Sequence, residues 1–189
     1  VHLSGELKNI GQVHIQSLMD LIRFGKTGNR IDLPKGVVAI LEYDHFLLQK
    51  KETLIKSNDF EYAIGVNEKR WIEETHGYLS CEVVERENGF AISTQRYQKH
   101  FDYDKIKKQL LVRNRRPGDR FAPLGLGGSK KLKDYFIDEK IPQKERDRIP
   151  LLCDGDQIMW VIGYRMSEKY KVDSNTKKIM IVHYEPLDE

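Results

Sequence analysis

Short runs in which apolar and polar residues alternate, separated by turn-forming residues, recur along most of this 189-residue chain. The clearest such pattern spans residues 79–94, with Asn88-Gly89 between its two halves. Because Asn-Gly favours the tight turn of an antiparallel hairpin, we predict a hairpin there. A second hairpin is predicted over residues 37–50, with its turn near Asp44. Further strands are predicted at residues 60–66, 110–115, 151–153, 157–164 and 177–184.

Helical spacing marks only three segments. The first is a helix predicted over residues 11–24. It is expected to end at Gly25, because glycine is typical of helix ends. Its predicted buried stripe consists of Ile15, Leu18, Met19 and Ile22. A second helix is predicted from a cap at Ser129 to about residue 137, and a short third between Pro142 and Pro150.

These elements predict an α+β protein with two small domains. Each domain is expected to be a mainly antiparallel sheet with one or two helices. The boundary is placed in the polar and charged segment around residues 95–108. We therefore predict a first domain over residues 1–104 and a second over residues 105–189.

Positive charge is concentrated in residues 105–148. This segment carries 14 Lys or Arg and 6 Asp or Glu, a net charge of +8, whereas the whole chain has a net charge of only +3. Such a basic patch is typical of a surface that binds a polyanion, usually nucleic acid. Guanidinium groups suit bidentate contacts with phosphate. The candidate contacts are Arg113, Arg115, Arg116, Arg120, Lys130, Lys131, Lys133 and Arg146. Ion pairs with Asp119, Asp134 or Glu145 are the alternative role for the arginines.

A glycine-rich loop, residues 125–128, precedes the second predicted helix and its lysines. The amides at a helix start bind phosphate readily, and positive charge there opposes the helix dipole. A bound phosphate would offset that opposition. A plain solvated basic helix is the equal alternative.

Other classes of site lack their motifs. The six His residues show no metal-ligand spacing, so we expect no metal, and no HExxH, GxSxG or strand-linked GxGxxG motif is present. Cys81 and Cys153 are expected to be buried thiols in a reducing compartment. No apolar run has the length of a membrane span, so we expect a cytoplasmic protein that makes no membrane contact.

The basic segment contains three motifs in fixed order: R-x-R-R-P-G-D-R-F from Arg113, G-S-K-K-L-K-x-x-F from Gly128 and P-x-x-x-R-D-R-I-P-L from Pro142. This arrangement resembles the C-terminal domain of bacterial tRNA(Ile)-lysidine synthetases. The resemblance covers roughly residues 110–170, and the first half of the chain is more loosely similar to the middle domain of that family.

The resemblance implies a tRNA-binding part of a larger carbon–nitrogen ligase. That family uses ATP, with magnesium, to activate the wobble cytidine of an isoleucine tRNA with a CAU anticodon, and free lysine then displaces AMP to give lysidine. The catalytic N-terminal domain carries an S-G-G-x-D-S loop that this chain lacks. We therefore expect a fragment that is inactive alone and holds no cofactor. Its expected partners are tRNA and the catalytic domain, and a homodimer of the full-length protein stays open.

Two other roles stay open at this point. The chain could be a structural domain that docks onto the catalytic domain. It could also be a small module that binds an anion or nucleotide at the glycine-rich loop.

Overall fold

The computed structural model of this chain describes residues 10–42, 45–50 and 59–187. It is an α+β structure, and every pairing between the described strands is antiparallel, so the predicted fold class is confirmed. The chain divides into two compact units. The first consists of residues 1–56 and 140–145, and the second of residues 57–139 and 146–189.

The first unit combines a helix with a three-stranded sheet. Helix α1 spans Gln12–Phe24 and ends as predicted, because the Gly25 amide donates to the Leu21 carbonyl at 2.9 Å. The sheet has the order β1-β2-β3. Its strands are β1 (Arg30–Leu33), β2 (Val37–Glu42) and β3 (His45–Lys50). The predicted hairpin over residues 37–50 is confirmed by the pairing of β2 with β3, while its turn at Asp44 lies outside the described residues.

Helix α1 does not bury the predicted apolar stripe. Leu21 is its buried residue, whereas Ile15 is 55% exposed and Ile22 is 51% exposed. Periodicity identifies the helix, since it follows from local spacing. Which face is covered depends on the elements packed against it, and local spacing does not contain that information.

The second unit contains two four-stranded sheets. The first has the order β12-β11-β8-β4, and the second has the order β5-β6-β13-β7. The first sheet consists of β4 (Glu61–Ala63), β8 (Leu110–Arg113), β11 (Leu151–Asp154) and β12 (Gln157–Val161). The second consists of β5 (Glu68–Ile72), β6 (Gly77–Glu85), β7 (Gln98–Asp102) and β13 (Lys178–Pro186).

Apolar side chains from both sheets form the core of the second unit. Phe101 of β7 and Trp160 of β12 are fully buried, with ring centroids 6.3 Å apart. Leu79 of β6 and Val112 of β8 belong to the same cluster. The strand alternation seen in the sequence therefore produces two inward faces that bury one another.

A small ribbon and two short α-helices lie in the second half of the chain. Strands β9 (Arg120–Phe121) and β10 (Lys130–Lys131) pair with each other, and helix α2 (Leu132–Asp138) follows directly. Helix α3 spans Gln143–Arg146. The predicted cap at Ser129 was wrong, because Lys130 and Lys131 are extended and Lys131 occupies the cap position of α2.

The hairpin predicted around Asn88-Gly89 does not form. The turn is present, since the Phe90 amide donates to the Glu87 carbonyl at 3.2 Å, but the described residues 90–97 form no strand. Strand β6 pairs instead with β5 and, along its whole length, with β13. A nine-residue partner that buries Met180 and Val182 offers more apolar burial than the return segment does.

The domain boundary predicted at residues 104/105 falls inside the second unit. Strand β4 lies before that point and pairs with β8 beyond it, while β13 pairs with β6 and β7. The charged segment thus lies within one unit, where it contains strand β7 of the second sheet and the connection from β7 to β8 of the first sheet. The extent of the unit is set by pairing between strands that are distant in sequence. The local drop in apolar content carries no information about that pairing.

Candidate nucleic-acid interface

A buried ion pair closes the Pro117-Gly118 turn at the start of the basic segment. Arg113, the last residue of β8, is only 1% exposed. Its Nη1 and Nη2 atoms donate to the two carboxylate oxygens of Asp119, each at 2.9 Å. Asp119 also accepts from the Arg116 amide at 2.7 Å. The turn is therefore fastened to the end of a central strand.

The same pair keeps Arg113 charged and away from solvent. Burial acts to lower the pKa of Arg113, but the hydrogen bond and the charge of Asp119 outweigh it, so that the pKa is raised. A guanidinium with its two terminal nitrogens on one carboxylate cannot also reach an external phosphate. Of the two roles considered for Arg113, the structure supports the ion pair.

Three of the candidate cations pair with partly exposed carboxylates. Arg115 Nε lies 2.5 Å from Asp147, and Arg116 Nη2 lies 2.8 Å from Glu61. Lys130 pairs with Asp138 of α2. Ion pairs between exposed side chains typically contribute only about 0–1 kcal/mol, so a phosphate can compete with these carboxylates.

Arg120 and Lys131 lie directly opposite each other on the β9–β10 ribbon, and both side chains are exposed. Lys133, in the first turn of α2, is also exposed. Arg120 donates to the hydroxyl and the carbonyl of Ser129, at 3.3 and 3.2 Å. Within the part of the chain that the structure describes, none of these three cations forms an ion pair with a carboxylate. Like charges directly opposite on paired strands repel, so a bound anion would relieve this arrangement.

Arg146, the last of the eight candidates, is buried with 9% of its surface exposed, and it is engaged in contacts within the chain. It is therefore not part of the exposed basic surface. We call the surface formed by Arg120, Lys131 and Lys133 the ribbon patch. The same sequence motifs contain three further cations that pair with partly exposed carboxylates, namely Arg115, Arg116 and Lys130.

The glycine-rich loop is open, but one of its amides is already bonded. Gly125, Gly127 and Gly128 have φ values of 81°, 61° and 83°, which favour glycine, and no atom lies within 4 Å of where their Cβ atoms would be. The Gly125 amide donates to a Glu168 carboxylate oxygen at 3.2 Å. Hydrogen bonds from Lys171 and from this amide lower the pKa of Glu168. A carboxylate therefore occupies part of the loop that an anion would need.

Arg165 is a basic residue near this loop that sequence reasoning missed. Its Nη1 atom donates to the Leu124 carbonyl at 3.2 Å, and its amide donates to the Tyr135 hydroxyl at 3.3 Å. It lies outside residues 105–148, so the charge count did not include it. Its position inside residues 110–170, the span that the family resemblance covers, was the available signal.

Comparisons with known proteins bear on this basic, turn-rich unit. Residues 110–183 match the family described as TilS substrate C-terminal domain. A tRNA(Ile)-lysidine synthase of Caldanaerobacter subterraneus subsp. tengcongensis is 41% identical over 183 residues, covering 97% of this chain and 38% of that protein. One of Clostridium tetani is 38% identical over 190 residues, covering 97% of this chain and 39% of that protein.

A solved structure described as a TilS C-terminal domain aligns with a TM-score of 0.60 at 28% identity, covering 70% of this chain and all of that one. The resemblance is confirmed. This chain is related to the C-terminal region of tRNA(Ile)-lysidine synthases. It spans less than two fifths of the relatives' own length. No helix among the described residues is long and apolar enough to cross a membrane.

Proposed function

We propose that this chain is the tRNA-binding C-terminal part of a cytoplasmic tRNA(Ile)-lysidine synthase. The ribbon patch would contact backbone phosphates of the isoleucine tRNA, with Arg115, Arg116 and Lys130 adding contacts when phosphate replaces their carboxylates. Duplex RNA hides its base edges in a deep groove, so proteins bind it mainly through shape, phosphates and 2′-hydroxyls. The chemistry, which needs ATP, magnesium and free lysine, would occur in the part of the enzyme that this chain does not cover.

The observation that carries this proposal is the ribbon patch itself. Arg120 and Lys131 are exposed opposite each other, with Lys133 two residues further along the chain. Unfavourable repulsion of this kind is sustained at little cost where a polyanion is bound. The relatives are tRNA(Ile)-lysidine synthases, a name that refers to a tRNA, and this supports RNA as that polyanion.

The test is a binding measurement by fluorescence anisotropy, with labelled isoleucine tRNA, a non-cognate tRNA and duplex DNA at low and near-physiological salt. We expect saturable tRNA binding that weakens steeply as salt rises. The variant Lys131→Ala/Lys133→Ala should bind about tenfold more weakly or worse, with the salt slope reduced by about 2.

The matched control is Lys69→Ala/Lys178→Ala. It removes the same charge from two exposed lysines that pair with Glu185 and Glu85 on the second sheet. This control should keep the affinity of the parent protein. No tRNA binding even at low salt, or equal losses in the two double variants, would count against the proposal.

One observation favours a second candidate role, docking onto the catalytic domain. Helix α1 exposes Val13, Ile15, Ile22 and Phe24, at 76, 55, 51 and 79%. In that role the chain would bind a separately produced catalytic domain tightly and tRNA weakly, and Ile15→Ser/Ile22→Ser would abolish the protein–protein contact. A small anion or nucleotide module is less favoured, because Glu168 already bonds the Gly125 amide.

A further inference from the structure

A second cationic feature of the second unit contains aromatic rings. The guanidinium of Arg96 lies 4.9 Å from the ring centroid of Tyr97 and 6.0 Å from that of Tyr164. Arg96 Nε donates to the Gly163 carbonyl at 3.3 Å. Arg165 follows Tyr164 directly. We call Arg96, Tyr97, Tyr164 and Arg165 the Arg96 cluster.

Glycine at position 163 makes this arrangement possible. Its φ of 82° is one that other residues rarely adopt, and a Cβ there would lie 3.1 Å from the Tyr97 ring. The close approach of ring and backbone brings the Gly163 carbonyl to Arg96 and the following Tyr164 ring near the guanidinium. Backbone geometry therefore positions the cluster, whose two arginines are exposed and whose two tyrosines are half-buried.

The cluster adjoins the glycine-rich loop that leads into the ribbon patch. Arg165 donates to the Leu124 carbonyl, and the Leu124 amide donates to the Met166 carbonyl at 2.9 Å. Arg165 also reaches Glu139, which caps the C-terminal end of α2. Its Nε atom lies 3.5 Å from Glu139 Oε1, and the Arg165 and Glu139 side chains are 48% and 33% exposed. A surface ion pair of this kind leaves the guanidinium able to exchange partners.

Arginine beside tyrosine rings at a surface has the chemistry to bind an unpaired nucleobase. Bases stack on tyrosine rings and on the guanidinium plane, while further guanidinium donors bond the adjacent phosphate. Paired bases inside a duplex do not offer their faces, so the ribbon patch and the Arg96 cluster would read different parts of one RNA.

We propose that the Arg96 cluster binds an unpaired nucleotide that adjoins the duplex held by the ribbon patch. The base stacks on Tyr164 and Arg96, and Arg165 contacts its phosphate. This inference rests on the proposed function, since it assigns a second contact of a different kind to the same RNA-binding unit.

The experiment compares two labelled RNA probes. One is a blunt duplex, and the other is the same duplex with a short single-stranded 3′ extension. We expect the extension to strengthen binding about tenfold, because a base stacked on an aromatic ring adds to the binding free energy. In Arg96→Ala/Tyr164→Ala the two probes should bind equally, at the affinity of the parent protein for the blunt duplex. Lys131→Ala/Lys133→Ala should weaken both probes by the same factor.

The control variant is Lys69→Ala/Tyr78→Ala, which removes another surface cation over a tyrosine ring, 4.6 Å apart on the second sheet. It should retain the gain from the extension. An extension that adds no affinity, or a gain that survives in Arg96→Ala/Tyr164→Ala, overturns the inference and leaves the proposed function standing. Failure of both probes to bind the parent protein overturns both.

Discussion

Removing the Asp119 carboxylate should destabilise the second unit severely. Arg113 is 1% exposed and makes three described hydrogen bonds, two to Asp119 and one from Nη1 to the Asn114 carbonyl at 2.9 Å. In Asp119→Ala a buried guanidinium keeps only the last of these. Breaking a buried ion pair by removing one partner typically costs 3–5 kcal/mol, and we expect a loss of about 4 kcal/mol.

Urea unfolding followed by tryptophan fluorescence measures this loss. Trp71 and Trp160, the two tryptophans of the chain, both lie in the second unit, so the signal reports that unit alone. With a denaturant dependence of roughly 2 kcal/mol per M, the midpoint should fall by about 2 M. The control Glu61→Ala removes the carboxylate paired with Arg116, which is 47% exposed, and should cost under about 1 kcal/mol.

A double variant tests the reason for the loss as well as its size. If the cost comes from an unpaired buried charge, Arg113→Met/Asp119→Ala should be more stable than Asp119→Ala, because it removes that charge. A loss in Asp119→Ala no larger than in Glu61→Ala would refute the reasoning. So would a double variant less stable than Asp119→Ala.

Three further predictions concern buried groups. Burial raises the pKa of Cys81 and of Cys153 to about 12, so neither thiol should react with an aromatic disulfide reagent at mildly alkaline pH until urea unfolds the protein, and fast reaction of the folded protein would contradict this. Burial lowers the pKa of His100, whose Nδ1 accepts a hydrogen bond from the Ser93 amide. The unfolded state therefore binds more protons than the folded state below about pH 6.5. The free energy of unfolding should fall as pH drops through that range, and it should fall less in His100→Gln. Phe136 is fully buried, and Phe136→Ala should cost about 3–5 kcal/mol in urea unfolding, against under about 1 kcal/mol for the exposed neighbour Ile137→Ala.

Local patterns located the strands well where the deciding information is local. The turn at Gly155 separates β11 from β12 within a few residues of the predicted limits, and β13 was found from alternation alone. The pairing of β6 was not predictable in this way. Its turn signal at Asn88-Gly89 is correct, yet the strand that completes the sheet lies about ninety residues further on.

The candidate site shows the same limit. The motif R-x-R-R gives Arg113, Arg115 and Arg116 equal standing, but β8 lies between β11 and β4, and Arg113 is buried at its end. One signal was available, because Asp119 follows Arg113 across a Pro-Gly turn that reverses the chain. The residue types in the sequence were enough to identify a basic surface. The strand pairing was needed to distinguish its buried arginine, Arg113, from the exposed ones.

The buried and the exposed cations are nevertheless parts of one arrangement. Asp119 holds Arg113 through its carboxylate, and its carbonyl accepts from the Leu132 amide at 2.8 Å, the first residue of α2. The ion pair thereby fixes the point where β10 ends and the helix begins, which is the point that presents Lys131 and Lys133. An exposed lysine pair on a loose loop would lose conformational entropy on binding phosphate. Here the backbone entropy is lost on folding, so the Arg113–Asp119 ion pair would support the phosphate contacts that we propose for Lys131 and Lys133.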